Sequence, residues 1–273
     1  MLPRKKFFQG LKKMTAPVID TTILPDSDEG QLRHEIAAVT LLLNHKGIIG
    51  YSGHASVRLP GDDHFLIQPV DHSRAELKPE QLLVCNLEGR RVDQNETERP
   101  PGEVFIHSEI YKVRPDVRAV AHFHHDLTTT FSLVEGLHLQ PIKNHAARWG
   151  SGIPVHPDPA HVNTPALGRG IAKTLGAHHG MIIRAHGQVV VAETLRALLV
   201  DCIHFVENAE TFYRAAGLGR VLPLTESELA TFQRSFRRNK HSVKLWNYYV
   251  KQGLNSGLIP AAWREQLQLR DET

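Results

Sequence analysis

Apolar and polar positions alternate along this chain with two periods, and the change from one to the other marks its elements. Between residues 28 and 46 (DEGQLRHEIAAVTLLLNHK), Leu32, Ile36, Val39 and Leu43 recur at helical spacing and define one buried face. Asp28 is placed to cap that helix and Gly47 to stop it. The period then shortens. Residues 55–59 and 64–68 read as strands joined by a Gly-Asp turn, and 82–86 with 90–92 as a further hairpin turned at Glu88-Gly89. Pro100 and Pro101 precede a helix that starts near Glu103 and ends near Arg114-Pro115. A strand over 117–123 and a helix from about Asp126 to Leu133 follow.

Residues 136–165, rich in Pro, His and Gly, read as loops and short strands. Thr164-Pro165 opens a helix to about Gly176, and strands over 181–185 and 188–192 meet at His186-Gly187. A long helix over 194–216 carries Leu195, Leu199, Cys202, Val206 and Tyr213 along one side. Thr225 to Glu228 is a capping box that opens the last helical region. Strands and helices interleave throughout, so a single layered α/β domain over 28–273 with a helical C-terminal extension is expected, preceded by a flexible arm over 1–27.

Composition narrows the function classes. The chain has 273 residues, 41% hydrophobic and 22% charged, which is ordinary for a globular protein with a sizeable core. A net charge of +3, with no basic stripe interleaved with aromatics, argues against nucleic acid as a partner. No apolar run approaches the ~20 residues of a membrane span, so no membrane partner is expected. Cys85 and Cys202 lie in apolar runs and read as core residues. The basic start MLPRKKFFQGLKKM lacks the apolar core of a signal peptide and reads as an arm or a leader before Met14, leaving the cytoplasm as the expected compartment. Histidine stands out with 18 copies, which turns attention to metal and acid/base chemistry.

The candidate chemistry centres on EVFIHSEIYKVRPDVRAVAHFH, residues 103–124. Residues two apart on a strand share a face, so His122 and His124 should project side by side. Glu103 sits at the start of the helix that returns to this strand, and His186 ends another apolar run. Three imidazoles and one carboxylate are a credible ligand set for a divalent transition metal such as Zn2+ or Mn2+. His125 should point away from the pair, and His107 and Glu109 are expected off the site face of their helix. Trp246, Tyr248 and Tyr249 are expected at a core or an interface.

Three stretches resemble the class II aldolase/adducin family: GIIGYSGHASVRL, PPGEVFIHSEIYKVRPDVRAVAHFHH and RAHGQVVVAETLRAL, together within residues 30–217. The resemblance implies a three-layer α/β/α fold around a central mixed, largely antiparallel sheet. It implies a homotetramer with sites near subunit interfaces, where a neighbour's tyrosine often serves the site. It places His122, His124 and His186 as metal ligands, with Glu103 as a carboxylate that ligates the metal or moves off it to act as acid/base.

The chain departs from the family's sugar-phosphate aldolases where they hold phosphate. His54 stands in place of an Asn, Gln68-Pro69-Val70-Asp71 in place of a Thr-Pro-Ser-Gly-like turn, and Pro101-Gly102 in place of a Ser-Ser pair. A phosphate dianion needs converging hydroxyl and N–H donors. The substitutes His54, Asp71 and His72, with His145 and Arg148 of KNHAARWG, suit a planar carboxylated substrate instead. The pattern thus resembles the family's decarboxylases of hydroxylated aromatic and pyridine dicarboxylates, with His54, Asp71, His72, His145 and Arg148 as substrate-binding residues. The competing readings are an aldolase or epimerase acting on a sugar phosphate, and an adducin-like interaction module. The module is disfavoured because the metal-ligand set is intact.

Overall fold

A computed structural model describes residues 28–61, 63–92 and 97–269. The expected arm over 1–27 lies outside the described residues. Helix α1 (Glu29–His45) begins where Asp28 accepts the Gln31 N–H at 2.7 Å, and its Leu32, Ile36, Val39 and Leu43 are buried. The chain leaves it through Gly47 at φ +70°, a conformation that glycine adopts without steric cost. Strands β1 (His54–Arg58), β2 (His64–Ile67) and β3 (Leu83–Asn86) follow, then α2 (Val104–Val113), β4 (Ala119–Phe123) and α3 (Asp126–Thr130). A 3-10 segment (Asn144–Trp149) leads to β5 (Val155–His156), α4 (Pro165–Leu175), β6 (Gly180–Ile183) and β7 (Gly187–Ala192). The chain ends in α5 (Leu195–Leu218), α6 (Glu226–Ser235) and α7 (Arg238–Asn255).

The seven strands form one mixed sheet in the order β3-β2-β1-β4-β7-β6-β5, antiparallel at every junction except β5–β6. Helices cover both faces. Ala55, Val57, Ala119, Ala121 and Phe123 share one core with α1, α5 and α7. Val120, Val189 and Val191 share another with α2 and α4. The strand period of two fixes what this means for polar residues: His54, Ser56 and Arg58 of β1 and His122 of β4 face α2. No helix among the described residues is long and apolar enough to cross a membrane.

Several boundaries differ from the sequence expectation. His54 is the first residue of β1, not part of the preceding loop. The second arm of the 82–92 hairpin shrinks to a single bridge between Cys85 and Arg91. His125 lies beyond the strand and caps α3, with Nδ1 2.8 Å from Thr128 Oγ1. The Thr225 capping box is present, with the Thr225 N–H donated to Glu228 Oε2 at 2.8 Å. Trp246 is fully buried, whereas Tyr248 is exposed.

Candidate metal centre

Glu103 is the N-cap of α2 and is 4% exposed. Its carboxylate stands over the end of β4. Oε2 lies 3.2 Å from His122 Nε2 and Oε1 lies 3.3 Å from His186 Nε2. Oε1 also accepts the Val162 N–H at 3.0 Å. His124 Nε2 approaches His122 Nε2 at 2.9 Å. His186 sits in the tight β6–β7 connection, where Ala185 takes φ +55°. A side chain at Gly187 would meet Phe123 O at 2.5 Å, so the close approach of this turn to β4 requires glycine there.

The outer nitrogens show which face of each ring is free. His122 Nδ1–H donates to Gln188 O at 2.9 Å, which leaves Nε2 bare in the neutral ring. His124 Nδ1 meets the Ser52 hydroxyl at 2.9 Å. Donating there, it too presents a bare Nε2. In that tautomer the two lone pairs, 2.9 Å apart, both face the point where one cation could lie. A His–metal bond of about 2.1 Å puts each ring centre about 3.2 Å from the ion, so rings at right to tetrahedral angles stand roughly 4.5–5.2 Å apart. The three ring separations are 4.7, 5.1 and 5.0 Å. The four residues Glu103, His122, His124 and His186 therefore fit one divalent ion.

Electrostatics agree with that fit. Burial alone would raise the Glu103 pKa, but the adjacent His122 and His186, with the Val162 N–H, hold it well below the usual carboxylate range. It is an anion. Burial, then the neighbouring imidazoles of His122 and His186, push His124 down to about 4, so its ring is neutral and available near pH 7.

His54 forms the back wall. It is 1% exposed, with Nε2 3.9 Å from Glu103 Oε2 and its ring 5.2 Å from that of His122. Asp71 and His72 line a surface hollow of ≈ 420 Å³ with Tyr51, Val70 and Arg74. It adjoins the loop that carries Ser52. His72 is paired with Glu98, and Arg74 is spent on the carbonyls of Gly53, Pro69 and His72.

His145 and Arg148 are set apart from the cluster, against the expectation that they bind substrate there. Arg148 pairs with Glu193 at 3.0 Å and Asp201 at 3.3 Å, beside Arg238. Glu193 follows the last residue of β7, whereas His186 precedes its first, so six residues of strand, ~20 Å, separate them. Asp201, buried beside α7, and the half-buried Glu193 need cations, and the two arginines supply them. His145 stacks on His204 of α5 at 3.9 Å between ring centres.

His107 is a residue whose role sequence reasoning missed. It is fully buried, with Nε2 2.7 Å from His54 Nδ1 and Nδ1 2.6 Å from Ser56 Oγ. Four residues after Glu103 it necessarily shares Glu103's helix face, which is the signal that locates it. Burial pushes its pKa down to about 3. Glu109 is buried and pairs with Lys112 at 2.9 Å.

Known proteins resemble this chain in sequence and in fold. A 3,4-dihydroxyphthalate decarboxylase from Arthrobacter keyseri is 26% identical over 211 residues, 72% of this chain and 84% of that protein. A 3-oxo-tetronate 4-phosphate decarboxylase from Pectobacterium atrosepticum is 26% identical over 209 residues, 75% of this chain and 93% of that one. The solved L-fuculose 1-phosphate aldolase from Glaciozyma antarctica shares the fold, with a TM-score of 0.71 at 21% identity, over 85% of this chain and 92% of that one. The Class II Aldolase and Adducin N-terminal domain matches residues 34–213, and this chain belongs to that family.

Proposed function

We propose that this protein is a metal-dependent carboxy-lyase that removes a carboxylate ortho to a hydroxyl on an aromatic or pyridine dicarboxylate. The observation that carries the reading is the lining around the convergence point. The first-loop position that holds an amide in the phosphate-handling aldolases presents the His54 imidazole. Gln68 is committed inside the fold, accepting the Ala55 N–H and donating to Thr40 Oγ1 at 2.7 Å. Pro101-Gly102 brings no hydroxyl. The lining is thus poor in phosphate donors and rich in imidazole.

His122, His124, His186 and Glu103 would hold one Zn2+ or Mn2+; the donor set suits either. Bound there, the ion supplies Lewis-acid stabilisation of negative charge on a ring oxygen. The residues do the rest. When the ring carbon that bears the carboxylate takes a proton, the ortho oxygen becomes carbonyl-like. The electron pair of the breaking C–CO2 bond then flows back toward that oxygen, and loss of the hydroxyl proton balances the one gained. Glu103 is the acid/base candidate, because it is buried, ionised and in contact with the convergence point. His54, Asp71 and His72 are read as substrate-binding residues, with Asp71 and His72 at the rim. Exposed Tyr51, Val70, Leu133 and Val134 support a homo-oligomer, read here as a tetramer, with the site near a subunit interface. The buried free thiols Cys85 and Cys202 suit the cytoplasm.

The test is CO2 release from a panel of ortho-hydroxy aromatic and pyridine dicarboxylates with added Zn2+ or Mn2+, alongside a 3-oxo acid phosphate and an aldol-type sugar phosphate. Metal-dependent CO2 release from a hydroxylated diacid is expected. Aldehyde and dihydroxyacetone phosphate release from the sugar phosphate, with no CO2 from any diacid, would refute the reading in favour of an aldolase.

A further inference from the structure

Strand β7 turns Val190 and Ala192 into the core shared with α5, and Gln188 precedes them on the same side. Gln188 is fully buried. An amide in such an apolar row is costly unless its polar atoms are paired, and here both ends are. Oε1 accepts the His125 N–H at 2.9 Å, and Nε2 donates to Thr129 Oγ1 at 2.7 Å. A longer contact of 3.4 Å runs from Nε2 to His125 O. The backbone of His125 settles which end of the amide is which, because an N–H only donates and a carbonyl only accepts. The Thr129 hydroxyl, accepting from Nε2, donates in turn to His125 O at 3.1 Å.

We propose that Gln188 is a positioning residue for the metal centre: it holds His124 at ligand spacing from His122 by gripping the peptide that follows His124. The inference deepens the proposed function and rests on its metal site.

His122 lies within β4, where pairing with β7 fixes its backbone. His124 lies one residue beyond the end of that strand, past the last pair, Phe123 with Gln188. The N–H of His125 belongs to the peptide plane that carries the carbonyl of His124. The Gln188 amide therefore fixes the plane from which His124 hangs. Its main chain acts on the other ligand, for Gln188 O accepts the His122 Nδ1–H at 2.9 Å. One residue thus sets the ring of His122 with its carbonyl and the backbone of His124 with its side chain. The two Nε2 atoms come 2.9 Å apart.

Helix α3 extends the frame to the third histidine. The Ser132 hydroxyl accepts the Ala185 N–H at 3.1 Å and donates to Thr129 O at 2.7 Å. Ala185, at φ +55°, immediately precedes His186. The turn that carries His186 is thereby tied to the C-terminal end of α3, whose N-terminal end Gln188 grips.

The test is Zn2+ affinity, measured by competition with a chromophoric chelator on folded, metal-stripped protein without substrate. Gln188→Leu keeps the main-chain carbonyl and removes the amide. It should weaken Zn2+ binding about tenfold, the scale of losing a group that orients a metal ligand. Thr129→Val, which takes away the acceptor of Nε2, should weaken it about threefold, and Thr129→Ser, which keeps the hydroxyl, should stay within about twofold. Co2+ in place of Zn2+ reports the ligand geometry: its visible bands should shift in Gln188→Leu and stay in Thr129→Ser. A residue that only packs would lower the Tm of Gln188→Leu and leave Zn2+ affinity unchanged, and that result would overturn the proposal. Should Gln188→Leu fail to fold, Thr129→Val decides in its place, and unchanged affinity there would overturn the proposal equally. The expected loss of Zn2+ affinity, in a protein that releases no CO2 from any hydroxylated diacid, would uphold the role of Gln188 and refute the decarboxylase reading. Natural protein that takes up neither Zn2+ nor Co2+ would refute the metal centre and this role with it.

Discussion

Two histidine clusters among the described residues offer the same kinds of ligand and opposite geometry. In one, His122, His124 and His186 gather with Glu103; in the other, His145 and His204 gather with Glu207. Each group has its ligand-type atoms within 4.8 Å of one another. In the first, ring centres are 4.7–5.1 Å apart, and two ring pairs stand at 79° and 86°. Lone pairs that lie in such ring planes can meet at one point. In the second, His145 and His204 are stacked at 3.9 Å and 21°. Their in-plane lone pairs run side by side, and an ion between the edges would sit far out of both planes. Glu207 there is already paired with Lys143 at 3.2 Å. The direction of the lone pairs, more than their number, separates a metal site from a packing motif.

The largest effect expected from this contrast is on metal content. His124→Ala should lower Zn2+ affinity roughly a hundredfold, because about 10–16 kcal/mol shared over four ligands is about 3 kcal/mol each. Turnover should vanish with the metal. His204→Ala should leave bound metal at one ion per chain. Elemental analysis after dialysis reads both. Metal that persists in His124→Ala and falls in His204→Ala would reverse the assignment.

The next effect is on stability. Arg148→Ala leaves Glu193 and Asp201 sharing Arg238 alone, and Asp201 is 2% exposed. Breaking such a buried pair costs about 3 kcal/mol. Denaturant unfolding should show that loss while Zn2+ affinity is unchanged. A loss of affinity with unchanged stability would return Arg148 to the site.

The error over Arg148 marks where the sequence stops being legible. The layered fold, six of the seven strands and the side-by-side projection of His122 and His124 follow from local periods, because strand alternation and helix caps are short-range. Helix α1, for example, is announced by Asp28, Gly47 and the spacing of four apolar residues. The partners of Arg148 lie 45 to 90 residues away in sequence, at Glu193, Asp201 and Arg238. Nothing local in KNHAARWG points to them. Strand β5, two residues long and parallel to β6, also has no periodic signal. His107 is a different kind of miss. HASVR alternates polar and apolar, and Glu103, His107 and Tyr111 are spaced four apart. Those two spacings, one of a strand and one of a helix, already present two polar faces that need each other as partners.

A smaller effect separates the clusters by pH. Burial, then neighbouring positive charge, pushes His145 down to about 4, and burial with the adjacent imidazoles pushes His204 to about 3. Such rings bind protons more readily in the unfolded chain. Their stabilisation is complete above about pH 6.5 and is lost as pH falls toward those values. His204→Phe keeps an aromatic partner for His145 but cannot titrate. Its Tm should fall less between pH 7 and pH 5 than that of the natural protein, by roughly 3 °C. Equal falls would mean that this cluster is not an acid-sensitive part of the fold.

The smallest effect tests the stack itself. A stacked aromatic pair contributes about 0.5–1.5 kcal/mol beyond the area it buries, so His145→Ala should cost about 1 kcal/mol from the stack together with some lost packing. His145→Phe should recover most of that, since a phenyl ring can lie on His204 as an imidazole does. Neither change should alter Zn2+ stoichiometry. The pair of substitutions discriminates because a ligand and a packing ring respond oppositely to phenylalanine: it restores a stack and cannot restore a metal bond. If His145→Phe lost one bound ion and as much stability as His145→Ala, the parallel rings would have to open by about 1 Å to reach metal-ligand spacing. The separation drawn from lone-pair direction would then fail at the cluster where it is most exposed.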